Sequence, residues 1–255
     1  MVKYMKTAQM ACLEKTNSGI IYLLPDIFLK AGTLVALIFL WRAALSSGVK
    51  ADMSLPQMLS YAYASTILSS LLVVRTAASG WLSEGVLQKL YGRPISVLGQ
   101  LAAQTVGGWL PMLLMFSLPM ALLSPLLGVS LIPATWWFYP SLILCITLGF
   151  AMDFLLACLC IKLRGMTWLV SRIHLAIISL FSGTVIPIKL LPYGIAEIMA
   201  YQPFASLGGS PLSLLAGSAN PLDVIGLQLF WNAVLWPVTL YIFKKSQEGI
   251  VSYGG

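Results

Sequence analysis

Apolar residues run along this chain in six long blocks: Ile20 to Leu45, Gln57 to Val74, Ser96 to Leu122, Phe138 to Ile161, Trp168 to Ile188 and Val224 to Phe243. At about 1.5 Å per residue, each block is long enough to cross a hydrocarbon core about 30 Å thick, so the pattern predicts six transmembrane helices. Between the blocks lie three stretches with a different periodicity.

The first is the N-terminal "MVKYMKTAQMACLEK". At about 100° per residue, Tyr4, Met5, Ala8, Ala11 and Cys12 share one face, and Lys3, Lys6, Thr7 and Glu14 share another. That predicts an amphipathic helix over residues 1–18 lying on a membrane surface. It has no continuous apolar stretch before a small-residue cleavage site, so it does not read as a secretory signal.

The second is "SEGVLQKLYGRPIS", between the second and third blocks. On a helical wheel Leu82, Val86, Leu87, Leu90 and Tyr91 fall on one half and Glu84, Gly85, Gln88 and Lys89 on the other, predicting a short surface helix within 79–93. Gly92 suits its C-terminus, and Pro94 cannot donate to a continuing helix, so the next span starts afresh.

The third is the region 184–220, between the fifth and sixth blocks, too apolar for a solvated loop yet interrupted by Pro187, Pro192, Pro203 and Pro211. Proline removes a backbone donor and kinks a helix, so short helices at or dipping into the outer face are expected.

Composition agrees with the pattern. The 255 residues are 59% hydrophobic and 9% charged, with a mean hydropathy of +0.90, whereas soluble domains are about 45–50% apolar. The net charge of +7 reports loop asymmetry rather than nucleic-acid binding. With both termini inside, Lys3, Lys6, Lys15, Arg75, Lys89, Arg93, Lys162, Arg164, Lys244 and Lys245 fall on the cytoplasmic side. The opposite side keeps only Lys50, Lys189 and Arg42. The positive-inside rule then orients the chain with cytoplasmic termini. Cys12, Cys145, Cys158 and Cys160 fall where an extracellular disulfide would not form, and read as packing residues.

Charge within the blocks is the candidate chemistry, because a lone charge at the bilayer centre costs roughly 2.5–3.5 kcal/mol on insertion scales. Asp153 and Arg172 lie at similar distances from the turn near residue 163. Antiparallel neighbours would bring them to one depth, so they form a candidate ion pair, with proton relay or substrate binding as the alternative role. His174, the one histidine, reads as a helix-end packing residue, and Asp26 with Lys30 as a local pair one turn apart. The tryptophans at 109, 136, 137, 231 and 236 read as an aromatic belt.

"WLSEGVLQKLYGRPIS", following one span and opening the next, resembles the E-x-G...P-x-S element of ABC type-2 exporter permeases, with Pro94-Ile95-Ser96 matching and Glu84-Gly85 at the first position without the intervening residue. "FLWRAAL", "FSGTVIPIKLLP", "QPFASLGGSPLSLLAG" and "LQLFWNAVLWPVTLYIFKKSQEG" resemble that family too, in order along nearly the whole chain. The basic turn "KLRGMTW" after the fourth span departs from its pattern, which often has aromatic residues there.

The resemblance implies a single all-α permease domain over 1–255 that dimerises with an identical or related chain in the plasma (inner) membrane. It would dock a separate ATPase through a coupling helix, with Glu84, Gly85, Gln88, Lys89, Arg93 and Pro94 at that interface. Pro187, Pro192, Pro203 and Phe204 become candidates for an outer gate. The chain lacks a G-x-x-x-x-G-K-[ST] loop to cradle phosphates, so ATP and Mg are expected on the partner ATPase and no cofactor on this chain. The substrate class would be hydrophobic or amphipathic, such as a drug, peptide or lipid. The competing reading is a secondary carrier or small intramembrane enzyme that relies on Asp153.

Overall fold

A computed structural model describes residues 2–17, 20–47, 53–76, 78, 90, 92–162, 167–191 and 194–251. Among them every regular element is helical. In chain order these are α1 (Val2–Asn17), α2 (Leu24–Ser46), α3 (Leu55–Ile67), α4 (Ser69–Leu72), α5 (Val97–Met112), α6 (Leu118–Leu123), α7 (Phe138–Lys162), α8 (Thr167–Phe181), α9 (Ile195–Ala200), α10 (Gly209–Leu215) and α11 (Pro221–Val251). A wide turn over Leu113–Ser117 joins α5 to α6, making one rod.

Among the described residues, four helical stretches are long and apolar enough to cross a membrane: Leu24–Ser46, Val97–Leu127, Phe138–Leu159 and Pro221–Ser246. The second and fifth expected spans are interrupted. Ser65 and Thr66 both turn their hydroxyls back onto the Ala62 carbonyl, at 2.8 and 3.1 Å. Such bonds compete with the helical ladder, and the helix breaks at Leu68 (φ −92°, ψ 4°). The Ile67 carbonyl accepts from Ser117 Oγ at 2.6 Å, and Lys30 Nζ donates to Ser70 Oγ at 2.9 Å. Lys30 thus reaches across to the break between α3 and α4, while Asp26 one turn before it still attracts its charge.

The fifth span stops at Phe181, because Gly183 takes a left-handed φ of +76°. The region 184–220 then holds a 3-10 turn (Ile188–Leu190), α9 and α10. Of these, α10 is buried within the bundle, packed on α7 and α3. The side chain of Gln57 accepts from the Ser54 amide at 2.9 Å and donates to the Ala216 carbonyl at 3.1 Å, tying the start of α3 to the end of α10.

Apolar side chains gain little by exchanging lipid for one another, so close approach and hydrogen bonds must hold helices together inside a bilayer. The seam of α7 and α11 shows both. Thr147 Oγ1 donates to Asn232 Oδ1 at 2.8 Å, Asn232 Nδ2 to the Leu144 carbonyl at 3.2 Å, and Thr239 Oγ1 to the Ala151 carbonyl at 3.1 Å.

The helix expected to lie on a membrane surface, α1, packs lengthwise on α5. Tyr4 Oη meets Ser96 Oγ at 3.1 Å, and Lys15 Nζ donates to the Gly108 carbonyl at 3.0 Å. Between them a Cβ on Gly107 would stand 2.0 Å from the Ala8 carbonyl oxygen. The packed face includes Thr7, whose hydroxyl is satisfied by the Lys3 carbonyl at 3.0 Å. Met5, expected on the apolar face, is exposed.

Candidate functional site

Two places gather polar groups inside the bundle. The first surrounds Asp153 on α7, nine-tenths buried within an apolar cluster that includes Val74, Phe150, Phe154 and Phe243. Past α4 residues 74–76 lie outside any helix, and the amide and hydroxyl of Thr76 both reach one carboxylate oxygen. Asp153 Oδ2 accepts from the Thr76 amide at 2.9 Å and from the Thr76 hydroxyl. The other oxygen, Oδ1, lies 3.8 Å from His174 Nδ1 on α8. His174 is itself buried, and its Nε2 has no hydrogen-bond partner among the described residues.

The structure thus assigns Asp153 different partners from those expected. Arg172 is exposed, and the ion-pair distance that Asp153 makes among the described residues is to His174. The reason is angular: Arg172 and His174 differ by two positions, about 200° around α8, so both cannot face α7. His174 was assigned to packing because only its sequence neighbours were visible. Thr76 gave no sequence signal, since nothing local announces that its hydroxyl folds back 77 residues along the chain.

The second place joins two sequence motifs at the opposite end of the bundle. "FSGTVIP" (181–187) and "QPFASLGGSPL" (202–212) interlock through their backbones. Gln202 Nε2 donates to the Phe181 carbonyl at 2.9 Å and the Gly209 amide to the Ser182 carbonyl at 2.7 Å. A Cβ on Gly209 would stand 2.6 Å from that same oxygen, so the approach requires glycine. From α3, the buried Tyr61 hydroxyl donates to the Gly183 carbonyl at 2.5 Å.

Beside this junction lies a cavity of about 660 Å³, lined by Tyr61, Pro187, Lys189, Ser210, Leu227 and Phe230 among others. Behind it, Gln228 is fully buried and donates to the Ser141 and Ser206 carbonyls at 3.2 and 2.8 Å. Its own side-chain oxygen and the hydroxyls of those two serines are buried without a partner among the described residues.

Of the residues proposed from sequence for an outer gate, Pro187 is buried and lines the cavity, while Pro203 and Phe204 are half-buried. Phe204 packs on the central apolar cluster, and Pro192 lies outside the described residues. Tyr61 and Gln228, which touch the junction directly, were not singled out. Their signal was weak: a Tyr or Gln inside an apolar block hydrogen-bonds when buried, but its partner cannot be read locally.

At the other end, Glu84, Gly85, Gln88 and Lys89 also lie outside the described residues, while Arg93 and Pro94 are exposed. Gln100, fully buried, holds this turn by donating to the Leu90 and Ile95 carbonyls at 3.0 and 3.1 Å. Among the described residues no three His, Cys, Asp or Glu side chains converge as a metal site would need.

No family model matches the chain, and no curated protein matches it.

Proposed function

We propose that this chain is the membrane-spanning permease subunit of an ATP-driven exporter, moving a hydrophobic or amphipathic substrate out of the cell. In this reading the interrupted segments α3–α4 and α8 act as the second and fifth of six spans, and the termini face the cytoplasm of an inner-membrane protein. The observation that carries the reading is the bond from the Tyr61 hydroxyl to the Gly183 carbonyl. It joins those two spans at their outer ends, beside a cavity whose size suits a small amphipathic molecule. The order of the sequence motifs supports the same assignment.

Mechanistically, the Tyr61–Gly183 contact and the 181–187/202–212 interlock form the outward seal. In this reading the energy arrives from a separate partner ATPase. ATP and Mg sit on that partner ATPase. Its closure is passed through the 79–93 segment, with Arg93 and Pro94 at the exposed edge, and biases a two-state element: seal made or seal broken. The second permease is an identical or related chain.

The test is co-purification with a nucleotide-binding protein and vanadate-sensitive ATPase activity in the complex. Glu84→Lys and Gly85→Trp are expected to weaken that docking while leaving membrane insertion intact. Transport by this chain alone in proteoliposomes without ATP would sink the proposal.

One observation favours a second reading. A carboxylate and an imidazole meet inside the bundle at Asp153 and His174, and buried ionisable groups mark proton pathways in carriers. A proton-coupled carrier would transport under a pH gradient without ATP and lose that transport in Asp153→Asn.

A further inference from the structure

At the basic end of the bundle, the start of α5 and the later parts of α7 and α11 enclose a groove of about 670 Å³. Its walls are apolar and largely aromatic: Leu98 and Ala102 from α5, Phe150 and Phe154 from α7, Trp236 and Phe243 from α11. Leu240, also lining it, is half exposed. Among the described residues this hydrophobic surface is left unfilled.

Its rim has the opposite chemistry. Arg93 lines the groove and is exposed. Val97 and Leu98, which also line it, are the first residues of a 16-residue helix. The opening turn of a helix leaves amides without intrahelical acceptors, and its dipole favours an anion. Lys244, exposed, follows Leu240 by one turn and continues the same face of α11. Ser96 Oγ already takes the Gly99 amide at 3.3 Å, so beside the apolar slot the rim offers the positive charge of Arg93 and the amides of Val97 and Leu98.

We propose that this groove binds an anionic phospholipid from the leaflet at the basic end, with an acyl chain against the Phe150–Phe154–Trp236 wall and the phosphate between Arg93 and the start of α5. A free phosphate would leave the aromatic walls uncovered. A lipid without net charge would leave the rim cations unmatched. The volume lies within the roughly 300–1,000 Å³ of small-molecule sites, and basic pockets between membrane helices are suited to acidic headgroups. This site is independent of the exporter reading, because it needs only the chain itself in a membrane.

The experiment uses the purified full chain without any ATPase, reconstituted with mixed phosphatidylglycerol and phosphatidylcholine and analysed for retained lipid by native mass spectrometry. Phosphatidylglycerol should be retained in preference to phosphatidylcholine. Arg93→Gln, at an exposed position, should reduce that preference about fivefold, as expected for one cation near a lipid headgroup, with an unchanged melting temperature. Ala102→Leu, which extends a side chain into the slot, should reduce retention of both lipids. As a measurement free of any folding defect, acyl-chain-brominated phosphatidylglycerol should quench tryptophan fluorescence of the unaltered chain, and Trp236→Phe should remove part of that quenching. Equal retention of the two lipids, an unchanged preference in Arg93→Gln, or displacement of the lipid by inorganic phosphate alone would each overturn the proposal. So would retention of neither lipid, which would point to a protein segment as the occupant.

Discussion

The two ends of this bundle are closed by different means. At the loop end, small residues and polar groups bring backbones into direct contact: Gly209 on the Ser182 carbonyl, Gln202 on Phe181, Tyr61 on Gly183. At the basic end, Phe150, Phe154, Trp236 and Phe243 stand around a groove. The contrast follows from the solvent. Lipid tails are as apolar as phenylalanine, so large rings gain little by meeting one another and leave gaps that lipid can fill. Tight closure needs glycine-scale approach and hydrogen bonds that lipid cannot supply.

That contrast can be broken at named positions. The largest effect is expected for Gly209→Val, whose Cβ would collide with a backbone oxygen. Forced overpacking costs about 3 kcal/mol, and it should appear as a lower melting temperature in detergent and new proteolysis within 181–212. Next comes Asp153→Leu, which strands both the amide and the hydroxyl of Thr76. An expected loss of about 2–3 kcal/mol should largely be absent in Asp153→Asn, which keeps an acceptor; equal losses in the two variants would show that the Thr76 contact contributes little. Tyr61→Phe removes one donor and leaves the Gly183 carbonyl unpaired, for about 1–2 kcal/mol, measured by the same melting experiment. The smallest effect is expected in the groove: Leu240→Gln, at a half-exposed wall position, should change stability by less than about 0.5 kcal/mol. A large loss there would show that the two ends are closed alike.

Part of this was legible in the sequence. The apolar blocks located the helices, and proline spacing placed short elements in 184–220, where α9 and α10 lie. The break at Leu68 escapes hydropathy because the serines and threonine of the block 57–74 are averaged with their apolar neighbours. The competing hydroxyls of Ser65 and Thr66 act on single carbonyls, below the resolution of a hydropathy window. The expected Asp153–Arg172 pair failed for a related reason. Depth follows from counting residues, but rotation about the helix axis decides which side chain faces α7, and it selected His174.

By itself, then, the sequence determined that the chain is helical and apolar enough for a membrane, because those properties are summed over neighbours. Only the tertiary structure decided which helices touch, that α1 rides on α5 at Gly107, and that Thr76, Asp153 and His174 share one site. Those outcomes depend on distances between residues far apart in the chain, where one missing Cβ or one turn of rotation separates contact from none.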